Sequence, residues 1–238
     1  MPIHILKLIK RQEIANHTLV LTFEKPAGFT FKPGQYGGFT LIDPPETDAG
    51  GLTRRFSLLS MPEDNYLAIA TRIQHAHSAF KKVLAQLPLG STIKFAGPTG
   101  TFTLHEETSI PAVFIAGGIG ITPFYSMIRH AMQHASPQPM YLFYGNQKIA
   151  DAAFLNELIE CERHHPSFKL IAAMADDALW QGERGFITEA MIKKYIPDIM
   201  APIYYICGSP AMVTALQETL AEMGINEDNI KTEDFPGY

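Results

Sequence analysis

The sequence lacks the residue clusters that define several large classes of protein. Only two of its 238 residues are cysteine, Cys161 and Cys207, and they lie far apart in the chain. An iron–sulfur centre needs several thiolates and a disulfide framework needs paired cysteines, so we predict neither. No run of lysine and arginine stands out and the net charge is −5, which argues against a surface that binds nucleic acid.

Long apolar runs are also absent. No stretch approaches the ~20 residues that cross a bilayer, and the amino terminus, Met-Pro-Ile-His, lacks the basic and then apolar pattern of a signal peptide. We therefore expect a cytoplasmic protein without a membrane span. Apolar residues make up 46% and charged residues 18%, which is typical of globular rather than disordered chains.

The first part of the chain has the pattern of short strands at close spacing, interrupted by one helical segment, Ser78–Leu87. This pattern predicts a small antiparallel β-barrel. The predicted strands lie in residues 3–23, with a turn at residues 15–17, and at Phe39–Ile42, Phe56–Ser60, Tyr66–Arg72 and Thr92–Phe95.

After Leu104 the pattern changes to strands that alternate with helices, beginning with a buried strand at Ala112–Ala116. Such alternation predicts a parallel sheet covered by helices. We therefore divide the chain into a barrel domain, residues 1–105, and an α/β domain, residues 106–238.

A glycine-rich turn follows the first predicted strand of the α/β domain, in Ala116-Gly117-Gly118-Ile119-Gly120-Ile121-Thr122-Pro123. Glycines allow a tight turn and a close approach to a ligand, and a helix that begins there presents its N–H groups to phosphate. Thr122 is expected to cap this helix. The alternative is an ordinary strand-to-helix connection.

A second turn of the same kind occurs at Cys207-Gly208-Ser209-Pro210. Ligands of doubly wound sheets lie beyond the carboxyl ends of the strands, so the two turns are expected to line one crevice. Cys207 would then contact a ligand or be a small buried residue.

The third segment, Arg54-Arg55-Phe56-Ser57, combines a cation, an aromatic ring and a hydroxyl within four residues. Arginine suits a pyrophosphate, phenylalanine packs on flat rings, and serine can hydrogen-bond a ring nitrogen. Taken alone, the segment is better explained as a strand edge with two solvated arginines and one core phenylalanine.

Together these segments resemble the ferredoxin–NADP reductase superfamily, the FAD- and NAD(P)-binding flavoprotein reductases. Its flavin motif, RxYS, is matched by Arg54, Phe56 and Ser57, with Phe in place of Tyr. The other matching segments occur in the family's order along the chain: Gly34-Gln35-Tyr36, Ala70-Thr71-Arg72 followed by Ser78, Gly117–Pro123, Cys207–Pro210 and Glu233–Tyr238.

The resemblance implies an FAD-binding barrel followed by an NAD(P)-binding domain, and a role for each matching residue. On the flavin side, Arg54 would bind FAD phosphate, Phe56 would lie against the flavin and Ser57 would hydrogen-bond near its N5 atom. The remaining flavin contacts would come from Ala70, Thr71, Arg72 and Ser78, with Phe235 nearby. The nicotinamide dinucleotide would be held by Gly118, Gly120, Thr122 and Gly208, with Cys207 facing the nicotinamide. Ser57 and Cys207 are thus the predicted catalytic residues.

Two departures from the family pattern leave FMN open as the flavin. Phe56 lacks the tyrosine hydroxyl, and His75-Ala76-His77 stands where a glycine usually precedes Ser78. NADP and NAD both stay open as coenzymes. The absence of a carboxylate directly after the strand at Met140–Tyr144, with Lys148 and Arg184 within reach, favours NADPH.

The resemblance implies hydride transfer from nicotinamide to flavin, which requires no acid–base pair. Electrons would then pass to a separate acceptor: a protein such as ferredoxin, flavodoxin or a cytochrome, or a small molecule. The alternative is a flavin-binding relay or regulatory subunit of a larger complex.

Three further features are interpreted without a role in this chemistry. We interpret Glu233 as a solvated terminal charge. The pairs His75/His77 and His164/His165 lack the spacing of a metal site, so no metal is predicted. The loop that contains Trp180 is equally consistent with packing and with ligand binding.

Overall fold

The computed structural model describes residues 2–73 and 78–235, which form two six-stranded sheets. The strands of the first sheet are β1 (Ile3–Ala15), β2 (Thr18–Glu24), β3 (Tyr36–Thr40), β4 (Thr53–Ser57), β5 (Tyr66–Arg72) and β6 (Thr92–Thr99). Their order is β4-β3-β6-β1-β2-β5, and every pair in this sheet is antiparallel. One helix, α1 (Ala79–Gln86), lies between β5 and β6 in the chain.

Strand β1 is long enough to pair with two neighbouring strands, one along each half of its length. Residues 3–7 pair with β6, while residues 8–15 pair with β2 across a turn in which His17 has a φ of 52°. Just past β4, the Leu59 N–H donates to the Ala68 carbonyl of β5 at 2.8 Å and joins the two edges of the sheet. The predicted antiparallel barrel is confirmed, with edges that meet at this contact rather than along a full ladder.

The second sheet is parallel and is covered by helices on both faces. Its strands are β7 (Ala112–Gly117), β8 (Met140–Asn146), β9 (Phe168–Met174), β10 (Glu183–Arg184), β11 (Ile203–Gly208) and β12 (Ile230–Asp234). The helices are α2 (Ile121–Gln133), α3 (Leu155–His164), α4 (Glu189–Tyr195) and α5 (Pro210–Glu222). The strand order is β10-β9-β8-β7-β11-β12, so the chain adds strands outward from β7 first on one side and then on the other. Sheets of this kind bind ligands at the point where the order changes sides, here between β7 and β11. The predicted α/β fold is confirmed.

The two sheets share a continuous apolar core. Barrel residues Leu59, Ala68 and Ala70 are buried in the same cluster as Phe114 and Phe124 of the α/β domain. The chain passes from one sheet to the other between Thr99 and Ala112, the segment that contains the predicted domain boundary. These shared contacts exclude water between the two sheets.

Two element boundaries differ from the predicted ones for local reasons. Strand β4 lies three residues earlier than predicted, because its register with β3 pairs Ser57 with Tyr36. Helix α3, which the sequence pattern predicts over Ala152–Arg163, begins at Leu155, since Phe154 adopts a φ of 61°, which a helix does not accommodate. Within the described ranges, every helix is too short or too polar to cross a membrane.

Candidate functional site

The glycine turn after β7 lies beside β11, at the point where the strand order of the second sheet changes sides. Gly118 has a φ of 51°, and a Cβ on Gly120 would lie 2.3 Å from the Cys207 carbonyl oxygen of β11. A side chain is therefore excluded at Gly120, because the backbones of the two turns touch there. The structure brings the two predicted turns together, as the sequence indicated.

The turn after β11 packs against the glycine turn after β7. A Cβ on Gly117 would lie 2.2 Å from the Met212 sulfur, and Ser209 caps α5 by accepting a hydrogen bond from the Met212 N–H at 3.4 Å. Pro210 occupies the first turn of α5, where its missing N–H costs nothing. The result is a close contact between the two turns, with two helix starts beside it.

Thr122 does not cap α2, which corrects the predicted role of its hydroxyl. Its side chain is buried and its Oγ1 donates to the Ile119 carbonyl at 2.7 Å. The short 3₁₀ turn Gly118–Gly120 comes directly before α2, so the residue before the helix is Gly120 and not a polar side chain. Thr122 therefore fixes the turn from the inside, and its contact with a dinucleotide stays a prediction.

Strand β4 carries the predicted flavin motif to the mouth of the crevice. Ser57, the last residue of β4, is 3% exposed, and its Oγ donates to Glu233 Oε2 at 3.2 Å. Glu233 belongs to β12 of the other domain, so this hydrogen bond crosses the junction.

Glu233 is not the solvated terminal charge that the sequence suggested. Burial raises the pKa of this carboxyl to about 7, against the opposing hydrogen bond from Ser57 and with a smaller contribution from Asp234. The sequence carried no signal for this, because β12 is short and its burial depends on the approach of β4. A carboxyl with a pKa near neutrality can hold or release a proton under physiological conditions.

Cys207 and Phe235 flank the same place. Cys207 is fully buried, and burial raises the pKa of its thiol well above the ordinary value, so the thiol is neutral and is not a nucleophile. Phe235 is partly buried, and its N–H donates to the Gly208 carbonyl at 3.1 Å. Contacts of these two side chains with cofactors stay predictions, and residues 236–238, also part of the matched carboxyl end, lie outside the described residues.

A second polar site lies on the barrel side, where Arg54 meets the start of α1. Arg54 forms a 2.6 Å ion pair with Asp48, and Asp48 also accepts hydrogen bonds from Ser78 Oγ at 3.3 Å and the Phe80 N–H at 3.4 Å. Ser78 caps α1, as its predicted position at the helix start requires. We call this group, Asp48, Arg54, Ser78 and the start of α1, the anion site, because a carboxylate occupies the position between a guanidinium and a helix N-terminus.

Phe56, the aromatic residue of the flavin motif, lies beside the anion site. Phe56 is partly exposed and packs against Phe39 and Phe80, with ring centroids 5.8 and 6.0 Å apart. It therefore extends the barrel core, and its exposed part is available to a flat ligand. The Phe80 ring also lies 5.3 Å from the Arg54 guanidinium, which restricts the orientation of that cation.

The predicted segment at the end of β5 is largely buried. Ala70 and Thr71 are 5% and 3% exposed, and Arg72 pairs with Asp151 of the α/β domain at 3.5 Å. The Arg72 Nε has no hydrogen-bond partner among the described residues. An uncompensated buried donor at this junction is consistent with a ligand that accepts from it.

Sequence reasoning missed the polar residues after β9. Asp177 accepts hydrogen bonds from the Ile149 and Leu179 N–H groups at 3.0 and 3.1 Å, and Asp176 lies 4.0 Å from the Lys148 Nζ. Hydrogen bonds to the Ile149 and Leu179 amides, opposed in part by desolvation, lower the pKa of Asp177. The available signal was two carboxylates directly after a buried strand.

Two other sequence features have structural explanations. Trp180 is partly buried, and its Nε1 donates to the Ala172 carbonyl at 3.2 Å, which supports the packing interpretation. His164 is exposed on α3, where its Nδ1 lies 2.8 Å from the Glu160 carbonyl oxygen. His75 and His77 lie outside the described residues.

Comparisons with known proteins agree with this architecture. Residues 114–218 match the model of the oxidoreductase NAD-binding domain family. The chain is 29% identical over 210 residues to the ferredoxin–NAD(P)(+) reductase component of the naphthalene 1,2-dioxygenase system of Pseudomonas putida, covering 88% of this chain and 62% of that protein. It is also 29% identical to the phenol 2-monooxygenase reductase component DmpP of Pseudomonas sp. (strain CF600), covering 86% and 58%. The chain thus spans about three fifths of the curated relatives it matches.

Solved structures resemble it over nearly its whole length. The Amycolatopsis cytochrome P450 reductase GcoB superposes with a TM-score of 0.85 at 25% identity, covering 98% of this chain and 70% of that one. A ferredoxin NADP+ reductase from Neisseria gonorrhoeae, determined with bound FAD and NADP, superposes with a TM-score of 0.82 at 20% identity, covering 98% of each chain.

The chain therefore consists of an antiparallel β-sheet domain followed by a parallel α/β domain, and residues 114–218 of the latter match the oxidoreductase NAD-binding domain family. Over nearly its whole length the chain is similar in fold to these two solved reductases, in agreement with the resemblance carried by its sequence motifs.

Proposed function

We propose that this chain is an NAD(P)H-dependent reductase that holds FAD and passes electrons to a separate acceptor. The observation that carries the proposal is the Ser57–Glu233 hydrogen bond. It places the hydroxyl of the flavin motif directly beside the two glycine turns of the NAD-binding domain. This is where an acceptor for hydride and its donor would have to meet.

The anion site fits the pyrophosphate of FAD. The Asp48 carboxylate stands in for a phosphate group there, since it is held by Arg54, by Ser78 and by the Phe80 amide at the start of α1. Phosphate oxygens can take over those donors, and Arg54 offers a planar fork that suits them. The FAD supplies the chemistry of hydride acceptance and single-electron release.

Ser57 and Glu233 together provide a path for a proton. A hydride brings two electrons and one proton, so a proton must leave when the electrons depart singly. The Ser57 hydroxyl can pass that proton to the Glu233 carboxylate, whose pKa of about 7 suits both uptake and release. Cys207 supports this place through packing, because its buried thiol stays neutral.

The residues after β9 favour NADH as the coenzyme. The cations considered for a 2′-phosphate are engaged: Lys148 lies beside Asp176, and Arg184 donates to the carbonyls of Ala178 and Trp180 at 3.0 and 2.8 Å. The exposed carboxylate of Asp176 suits ribose hydroxyls, and together with Asp177 it repels a further phosphate. This reverses the preference for NADPH, which considered only the end of β8.

The relatives' names support the choice of acceptor. They are reductase components of a dioxygenase and a monooxygenase system, so we propose a separate redox protein as the acceptor, with a small molecule as the alternative. A cytoplasmic location is part of the proposal, and it is supported by the two unpaired cysteines.

Anaerobic titration with NADH and NADPH, followed by flavin absorbance, tests the proposal. We expect a yellow protein whose flavin is bleached by about one equivalent of NADH, with NADPH needed at higher concentration. A protein that binds flavin but responds to neither coenzyme would support the relay-subunit alternative. A protein that binds no flavin would contradict both.

A further inference from the structure

Three potential metal ligands from both domains converge on the outer side of α2. Glu63 lies in the connection between β4 and β5, His130 in the last turn of α2, and His134 at its C-cap. Glu63 Oε2 lies 3.2 Å from His130 Nδ1, and Glu63 Oε1 lies 3.1 Å from His134 Nε2. The ligand atoms of the three side chains lie within 4.8 Å of one another.

The backbone around these side chains is fixed by neighbouring contacts. Ser126 Oγ, one turn before His130 on the same face of α2, donates to the Ser60 carbonyl at 2.7 Å. Arg129 pairs with Asp64 at 3.7 Å, and Asp64 accepts the Met61 N–H at 2.9 Å. These contacts hold the connection that carries Glu63 against the helix, so the three ligands need little ordering to bind a metal.

The spacing of the two histidines supplies the helical half of the site. Residues four apart lie on one face of a helix, and the His130 and His134 rings are 4.4 Å apart between centroids. All three side chains are about one-third exposed or more, so an ion can reach them from solvent.

The donor set fits a particular class of metal. Two imidazoles and one carboxylate are the ligands of tetrahedral zinc sites with one open position. With metal–ligand bonds of about 2.0–2.1 Å, the edges of such a tetrahedron are about 3.3 Å. The two histidine nitrogens lie 3.2 and 3.1 Å from different oxygens of Glu63, so a small rotation of the carboxylate would complete the ligand set.

We propose that Glu63, His130 and His134 bind a divalent cation of the zinc class that links the two domains. The ion would replace the two Glu63–histidine hydrogen bonds, with a water as the fourth ligand. Because Glu63 belongs to the barrel and the histidines to α2, the ion would stabilise the docking of one domain on the other. The proposal does not depend on the flavin chemistry.

Titration of the EDTA-treated full chain, without a histidine tag, with Zn²⁺ by calorimetry tests the proposal, and Co²⁺ reports ligand geometry by its absorption spectrum. We expect one saturable ion per chain and a tetrahedral Co²⁺ spectrum. Removing one ligand by His134→Gln should weaken binding by about tenfold or more. His164→Gln is the matched control, since His164 is an exposed helical histidine beside Glu160, and should leave the affinity unchanged.

Thermal unfolding provides a second readout. Saturating Zn²⁺ should raise the melting temperature of the wild type and of His164→Gln, but not that of His134→Gln or Glu63→Gln. The affinity should fall as the pH is lowered, because imidazole must be deprotonated to bind. The proposal is overturned by the absence of saturable binding, or by equal affinities of His134→Gln and the wild type. Either result would leave the three residues as a surface ion-pair group.

Discussion

The two halves of the crevice are built by different forces. On the barrel side, the anion site is held by charge: Arg54 and the start of α1 share the carboxylate of Asp48. On the other side, the glycine turns are held by backbone contact, with Gly120 against the Cys207 carbonyl. The first arrangement depends on charge, whereas at Gly117 and Gly120 the second leaves no space for a Cβ. If the proposed function holds, the first would retain or release a ligand and the second would fix the geometry of the turns.

The largest effect is expected from a substitution that disrupts the contact between the two glycine turns. Gly120→Ala places a Cβ 2.3 Å from a backbone oxygen, so one of the two turns must move. We expect a loss of about 3 kcal/mol in the free energy of unfolding, together with loss of NADH binding. Urea unfolding measures the first and coenzyme titration the second.

Gly145→Ala is the control for that change. Gly145 is the second-last residue of the neighbouring strand β8, but its added Cβ would meet the Ile187 side chain at an ordinary 3.4 Å. Stability close to that of the wild type is expected. A similar loss in both variants would show that close backbone contact is not what Gly120 provides.

Glu233→Gln tests the hydrogen bond at which the two halves meet. The folded pKa of about 7 exceeds the ordinary value of 4.5. Ionised Glu233 therefore costs stability, a cost that is absent below about pH 4.5 and complete above about pH 7. The substitution should raise the free energy of unfolding by up to about 3 kcal/mol at pH 8.5 and leave it unchanged near pH 4.5. Unfolding curves at the two pH values measure this, with exposed Glu222→Gln as the control.

Arg54→Ala tests the charged half. Loss of the guanidinium should weaken flavin binding roughly 10–100-fold, because charge-assisted hydrogen bonds to phosphate are lost. Its neighbour Arg55 lies on the opposite face of β4, 5.7 Å from the Tyr36 ring. Arg55→Ala should therefore retain flavin. Equal retention in the Arg54→Ala variant and the wild type, measured by fluorescence of released flavin, would remove Arg54 from the anion site.

Asp48→Asn gives the smallest expected effect, in the opposite direction. Without its charge, residue 48 competes less with phosphate for Arg54, so flavin affinity should rise about 2–5-fold. The gain should shrink at high salt, because the competing interaction is screened. Weaker binding in this variant would mean that Asp48 supports the ligand rather than standing in for it.

The fold was largely predictable because its signals are local. Strand β5 occurs at its predicted residues, and Ser78 caps the helix that was expected to begin there. The glycine turns were recognisable for the same reason, because the residues that form a turn are consecutive in the sequence.

The parts that escaped prediction depend on distant partners. Glu233 is 176 residues from Ser57, so nothing near it in the chain indicated its burial or its raised pKa. The position of Asp48 between Arg54 and α1, and that of Glu63 beside His130, likewise require the folded loops. Local sequence patterns therefore predict where the backbone of a site lies. The burial and the ionisation of its side chains depend on residues that are distant in the sequence and come close only in the folded chain.

Stopped-flow flavin reduction by NADH labelled with deuterium at the transferred position tests the central claim most directly. The two domains are argued to bring hydride donor and acceptor into contact in one crevice. The account predicts that the isolated chain is reduced by NADH without any partner, and more slowly by the deuterated coenzyme, because that bond breaks as the flavin is bleached. A flavin that stays oxidised until a second protein is added would contradict it.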